Sequence, residues 1–170
     1  MHIEFDRLPD YARIWVYLSD RKFTVAETGL VGDMLRSFAN EWAAHGTPLQ
    51  SSCRIKEDQF IILAVDEQAN GASGCSIDTS VNAIKRIGGT IGADLFNRAL
   101  VPFSINNEVL LMQLNELKQK YREGVWNGRT LTFNILAKTV GEIREMWTMP
   151  AEKSWVSRYM EPRSVDSLAG

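Results

Sequence analysis

Six consecutive apolar residues, Phe60-Ile61-Ile62-Leu63-Ala64-Val65, limit the fold of this chain more than any other stretch. A segment apolar at every position has to be covered on both faces, which suits a central strand. It is far shorter than the roughly 20 residues needed to cross a bilayer. Glu57-Asp58 reads as a tight turn before it, and the polar stretch Asp66 to Asp78 follows it. Ahead of the turn, Cys53 and Ile55 alternate with Ser52, Arg54 and Lys56, the pattern of a half-exposed strand.

The flanking segments supply the rest of the fold. Arg13 to Leu18, rich in β-branched and aromatic residues, reads as a strand. Thr24 and Glu27 have capping-box spacing, and Val31, Met34, Leu35, Phe38 and Trp42 recur on one helical face. That helix is predicted to end near His45-Gly46, with Pro48 preventing its return. A second helix is predicted from about Ser76, with Ile77, Val81 and Ile84 inward and Gly88-Gly89 at its end. A short helix is then expected to carry Ile91, Leu95 and Phe96. Val101 to Ile105 and Val109 to Met112 form a hairpin around Asn106-Asn107. Asn115 to Tyr121 reads as a helix, Thr130 to Leu136 as a strand, and Thr139 with Glu142 opens a last helix through Trp147.

The order is β-α-β-β-α-β, then β, α, β, α. This predicts an α+β fold with a ferredoxin-like βαββαβ core and a C-terminal β/α extension. A length of 170 residues suits one domain, expected over 1–160, with 161–170 a disordered tail.

A formal net charge of -2 argues against non-specific nucleic-acid binding, which needs a basic surface. The first six residues, Met1 to Asp6, carry neither a basic nor an apolar leader region. Two cysteines without a CxxC pair fit free thiols in a cytoplasmic protein. No cofactor is implied.

The distinctive polar stretch is the candidate site. Asn70, Gly71, Ser73, Gly74 and Ser76 enter a helix N-terminus, where backbone N–H groups and the dipole favour an anion. The alternative is a loop capped by Ser76. The P-loop pattern is absent from the whole chain, and no lysine follows Gly74 in the right place. Cys75 at a helix N-terminus has the setting of a reactive thiol. The predicted topology brings the end of the first helix, the end of the apolar strand and the start of the second helix to one edge of the sheet. His45, Asp66, Cys75 and Asp78 then form a candidate catalytic cluster, with His45 as base and an aspartate as orienter. Against it, a free cysteine is commonly a small buried hydrophobe, the reading adopted for Cys53. The same four residues lack HxxxH or CxxC spacing, so no metal site is expected. Trp155 and Tyr159 fit either a partner surface or a tail folded back on the body.

Trp42-Ala43-Ala44-His45-Gly46, the run Leu63 to Glu67 with Asn70 and Gly74 to Asp78, and Ser154 to Tyr159 together resemble a group of short bacterial proteins of about this length. Members are often labelled "ABC transporter ATPase". The resemblance covers most of the chain and is weak between Leu114 and Asn127. The label implies a Walker A lysine, a signature motif and a Walker B acid. The lysine is missing here, the chain is short for such a domain, and Asp66 alone is a poor Walker B.

Two functions fit these observations. One is a binding or adaptor module whose partner is a protein or a small anionic ligand, with no nucleic acid, no membrane and scope for a homo-oligomer. The other is a small enzyme acting on an anionic substrate through the Cys/His/Asp cluster.

Overall fold

The apolar run sits where its composition requires. In the computed structural model, which describes residues 1–160, each residue from Phe60 to Val65 is fully buried in the middle strand of a three-stranded antiparallel sheet. The expected disordered tail, 161–170, lies outside the described residues. In chain order the surrounding elements are β1 (Arg13–Leu18), α1 (Val25–Glu41), the two-residue strands β2 (Ala43–Ala44) and β3 (Thr47–Pro48), β4 (Gln50–Lys56), β5 (Phe60–Asp66) and α2 (Gly74–Ile91). The sheet order is β1-β5-β4, so β1 and β4 run parallel with β5 antiparallel between them.

After α2 come β6 (Leu100–Ile105), β7 (Glu108–Gln113), α3 (Leu117–Arg122), β8 (Leu131–Phe133), α4 (Val140–Glu145) and β9 (Thr148–Pro150). The chain forms two compact units. The first holds Met1–Asn97 with Ile135–Glu145; the second holds Arg98–Asn134 with the described residues from Met146 to Met160.

In the first unit, one face of the sheet presents Ile61, Leu63 and Val65, with Trp15 and Tyr17 from β1 and Cys53 and Ile55 from β4. α1 covers it with Val31 and Leu35, and α2 with Ile84 and Ile87. The inner face of α2 is therefore turned from the expected one: Ser76, Ser80, Ile84 and Ile87 are buried, while Ile77 and Val81 are only half-buried. The opposite sheet face is also covered. Ser52 is fully buried, contrary to the half-exposed reading of β4. The 3-10 turn Phe5–Arg7 lies against β4, with the Arg54 guanidinium 4.6 Å from the Phe5 ring centre. α4 is tied to the same N-terminal segment, since Arg144 donates to the Leu8 carbonyl at 2.9 Å and to Asp10 at 2.8 Å.

The α+β class holds. The strand expected to be fourth in a ferredoxin-like sheet, β6, pairs instead with β7 and β8, in a four-stranded sheet of order β7-β6-β8-β9. The two-residue turn Asn106-Asn107, with both residues at positive φ, supplies β6 with an adjacent partner at the smallest loop-closure cost. Val101, Phe103, Met112, Leu117, Trp126, Ala151 and Val156 form the core of this second unit.

Other boundaries moved for local reasons. α2 runs through Gly88-Gly89 to Ile91 and is stopped by Gly92, whose φ of 69° is left-handed; the expected short helix after it is not formed. The Cβ of any larger residue at Gly88 would lie 2.6 Å from the Ala93 carbonyl oxygen, so that glycine serves a close approach and not a helix end. β8 ends at Phe133 and not Leu136, and α4 ends at Glu145, short of Trp147. Thr139 does cap α4, accepting from the Glu142 N–H at 3.2 Å, while the Glu142 carboxylate turns to the Lys138 N–H.

Candidate functional site

The end of the first unit's sheet at Asp66 is built from three chain segments. β5 finishes there, with Asp66 opposite Gln50. α1 finishes there at Glu41, and α2 starts there at Gly74. The predicted helix end at His45-Gly46 is instead the turn of a small hairpin. His45 and Gly46 have φ of 52° and 76°, and Ala43 and Ala44 pair with Pro48 and Thr47. A two-residue loop with both residues left-handed matches strand twist, which is why a helix gives way to a hairpin here.

Trp42 anchors this end. Its indole is 2% exposed, packs 5.7 Å from Trp15 and 5.1 Å from Phe38, and donates from Nε1 to the Ser76 carbonyl at 2.9 Å. One buried hydrogen bond thus joins the segment after α1 to the first turn of α2. Asn70 adds a second tie, donating from Nδ2 to the Thr47 carbonyl at 3.0 Å.

The loop from Asp66 to Ser73 is closed by its own polar groups. The Asp66 carboxylate accepts from the Gln68 N–H at 3.1 Å, an Asx-type turn. The Glu67 carboxylate accepts from the Ala72 N–H at 3.1 Å and pairs with Arg13 at 3.4 Å. Tyr11 donates its hydroxyl to Gln68 at 2.5 Å. Ser73, and not Ser76, is the N-cap of α2. Its hydroxyl accepts from the Ser76 N–H at 3.1 Å, and the Ser76 hydroxyl accepts from the Ser73 N–H at 2.7 Å.

These bonds decide what the loop can hold. An anion cradled by backbone N–H groups needs those groups unspent. Here the N–H groups of Ala72, Ser73 and Ser76 are taken, and Glu67 already brings a carboxylate into the loop. A side chain at Gly71 would meet that carboxylate at 3.0 Å. Gly74 is exposed at the first helical position.

The residues expected to form a catalytic cluster share this end of the sheet but not a hydrogen-bond network. His45, Cys75 and Asp78 are exposed, and Asp66 is half-buried. Among the described residues, no hydrogen bond or ion pair joins the four side chains to one another, and no three His, Cys, Asp or Glu residues stand where they could hold a metal ion. Cys53, in β4, is half-buried on the helix-covered face of the sheet, and burial pushes its thiol up to about 11.

Sequence reasoning missed Glu67, Trp42 and Arg13 as the groups that fasten this end. Trp155 and Tyr159 are half-buried in a 3-10 turn whose Val156 is fully buried in the second unit's core, so the segment packs on its own unit. Two clefts lie elsewhere in the first unit. One, about 440 Å³, is lined by Lys85, Gly89, Gly92, Asp94 and Phe96 at the end of α2; the other, about 620 Å³, by Asp10, Tyr11, Glu142 and Arg144 beside α4.

Among the described residues no helix is long and apolar enough to cross a membrane. No family model, curated protein or solved structure matches the chain.

Proposed function

We propose that the chain is a cytoplasmic binding or adaptor module, and that the end of the first unit carrying His45, Asp66, Cys75 and Asp78 is its contact surface. The observation that carries this reading is the state of the polar groups there. The N–H groups of Gln68, Ala72, Ser73 and Ser76 are spent on holding the loop, while His45, Cys75 and Asp78 project from that framework without linking to one another. A fixed backbone presenting unlinked, exposed side chains suits recognition, because little ordering is required on contact. A Cys/His pair needs its base within hydrogen-bond reach of the thiol and a third group orienting that base. A protein partner suits this surface better than a small anion, since the Glu67 carboxylate, paired with Arg13 and held by the Ala72 N–H, already occupies the loop.

The competing reading, a small enzyme working on an anionic substrate through the same residues, draws its support from their shared place at one end of the sheet. Kinship with the short bacterial proteins that the chain resembles is compatible with either reading. ATP hydrolysis is part of neither, because no lysine enters the Gly71 to Ser76 loop and the Ser73 hydroxyl already caps the helix.

In-cell thiol footprinting tests the binding reading. Cys75 is expected to label with a permeant maleimide at least about fivefold more slowly in its native cells than in purified protein, because a partner covers it. A cysteine placed at exposed Lys85 (Lys85→Cys), almost three turns further along α2, serves as the reference. Equal labelling of Cys75 in both settings would remove the contact surface.

A further inference from the structure

The geometry points to β7 as a self-pairing edge, through which two copies of the chain join their four-stranded sheets into one. β7 is the end strand of the order β7-β6-β8-β9. The two-residue turn Asn106-Asn107 makes Ile105 and Glu108 a hydrogen-bonded pair. Counting along the ladder, Leu110 and Met112 also point their backbone groups at β6, whereas Val109, Leu111 and Gln113 point theirs away. Gln113 bears this out, because its N–H is taken by the Glu116 carboxylate at 2.8 Å. The outward N–H and C=O groups of Val109 and Leu111 have no partner among the described residues.

The other sheet edges carry something that β7 lacks. Along β4, Ser51 is bridged by His2, and Arg54 and Lys56 place charge on the strand. β1 begins with Arg13 and is bridged there by Thr139. β9 ends in Pro150. Charges, prolines and covering segments are the usual means of preventing edge-to-edge pairing. β7 reads Glu108-Val109-Leu110-Leu111-Met112-Gln113, with its one charge at an end and no proline.

Its side chains also run apolar surface to the rim. Leu110 lies opposite Phe103 and two positions from Met112, both buried in the second unit's core, yet Leu110 is itself 42% exposed. Antiparallel pairing about a two-fold axis at Leu110 sets Val109 of each copy opposite Leu111 of the other. The outward groups then exchange four backbone hydrogen bonds, and the two Leu110 side chains cover each other. The two Glu108 residues fall at opposite ends of the joined strands, each facing a Met112, so like charges do not meet. The occupant is therefore a second copy of this chain, with an isologous interface.

Sedimentation or light scattering on the whole chain tests this. Twice the 19.2 kDa chain mass is expected at high concentration, with a dissociation constant on the order of 1–100 µM for so short an edge. Val109→Pro removes an outward N–H without touching the β6 ladder. Leu110→Lys puts a gatekeeping charge on an exposed side chain and serves if the proline variant fails to keep the wild-type circular dichroism. Each is expected to weaken the dimer at least about tenfold. Amide exchange at Val109 and Leu111 is expected to slow as protein concentration rises. A wild-type chain that stays monomeric at about 1 mM overturns the inference, as does a dimer unchanged in a folded variant.

Discussion

Trp42 is the residue on which the candidate site depends most, although it faces inward. Its indole N–H is the buried link to the first turn of α2, and its ring fills the space between Trp15 and Phe38. Trp42→Phe keeps an aromatic ring but removes the donor and leaves volume unfilled. The Ser76 carbonyl also accepts along its own helix, so the loss is one hydrogen bond plus a packing defect, about 1–3 kcal/mol. Urea denaturation should show a lower midpoint and an unfolding free energy reduced by that amount, and an unchanged midpoint would show that the link is dispensable. The sequence placed Trp42 correctly in the core, although the residue lies in extended backbone just past the end of α1. It could not reveal the bond to Ser76, because the partners lie 34 positions apart and nothing local couples them.

At the scale of elements, the start of α1 joins a cap to an ion pair. Thr24 and Glu27 exchange capping-box bonds of 3.1 and 2.8 Å. Arg21 grips the same carboxylate at 2.7 and 2.8 Å and donates to the Ile91 carbonyl at 2.5 Å. The hydrogen bond from Arg21, then that from the Thr24 N–H, holds the Glu27 carboxyl at about 2, against an ordinary 4.5. Because the folded value lies below the unfolded one, the stabilisation is present above about pH 4.5 and is lost as pH falls towards 2. Stability curves measured from pH 6 to 2 should therefore fall less steeply for Glu27→Gln than for the wild type. Parallel curves would place the acid sensitivity elsewhere. The Thr24 cap was legible because its signal is local, four residues in a row. So were the turns at Glu57-Asp58 and Asn106-Asn107, and the central place of Phe60 to Val65. The hairpin at His45-Gly46 was misread as a helix end because glycine after a helical face signals both. The passage of α2 through Gly88 depended on the distant approach of the Ala93 carbonyl, and the pairing of β6 on which neighbour it met first.

At the scale of the whole molecule, the topology argument brought His45, Asp66, Cys75 and Asp78 to one end of the first unit's sheet, and they are there. What topology could not supply was their side-chain state, because each polar group chooses among several donors and acceptors within reach. The loop took those bonds for itself and left His45, Cys75 and Asp78 outward-facing, which is the basis for reading this end as a contact surface and not a reaction centre. Site-resolved alkylation of the purified chain with iodoacetamide at neutral pH tests that claim most directly, since mass spectrometry separates exposed Cys75 from half-buried Cys53. The account predicts that Cys75 reacts no faster than a model thiol, that His45→Ala leaves its rate unchanged, and that Cys53 reacts more slowly than Cys75. A Cys75 rate more than about tenfold above the model thiol, lost in His45→Ala, would contradict it and establish a paired nucleophile.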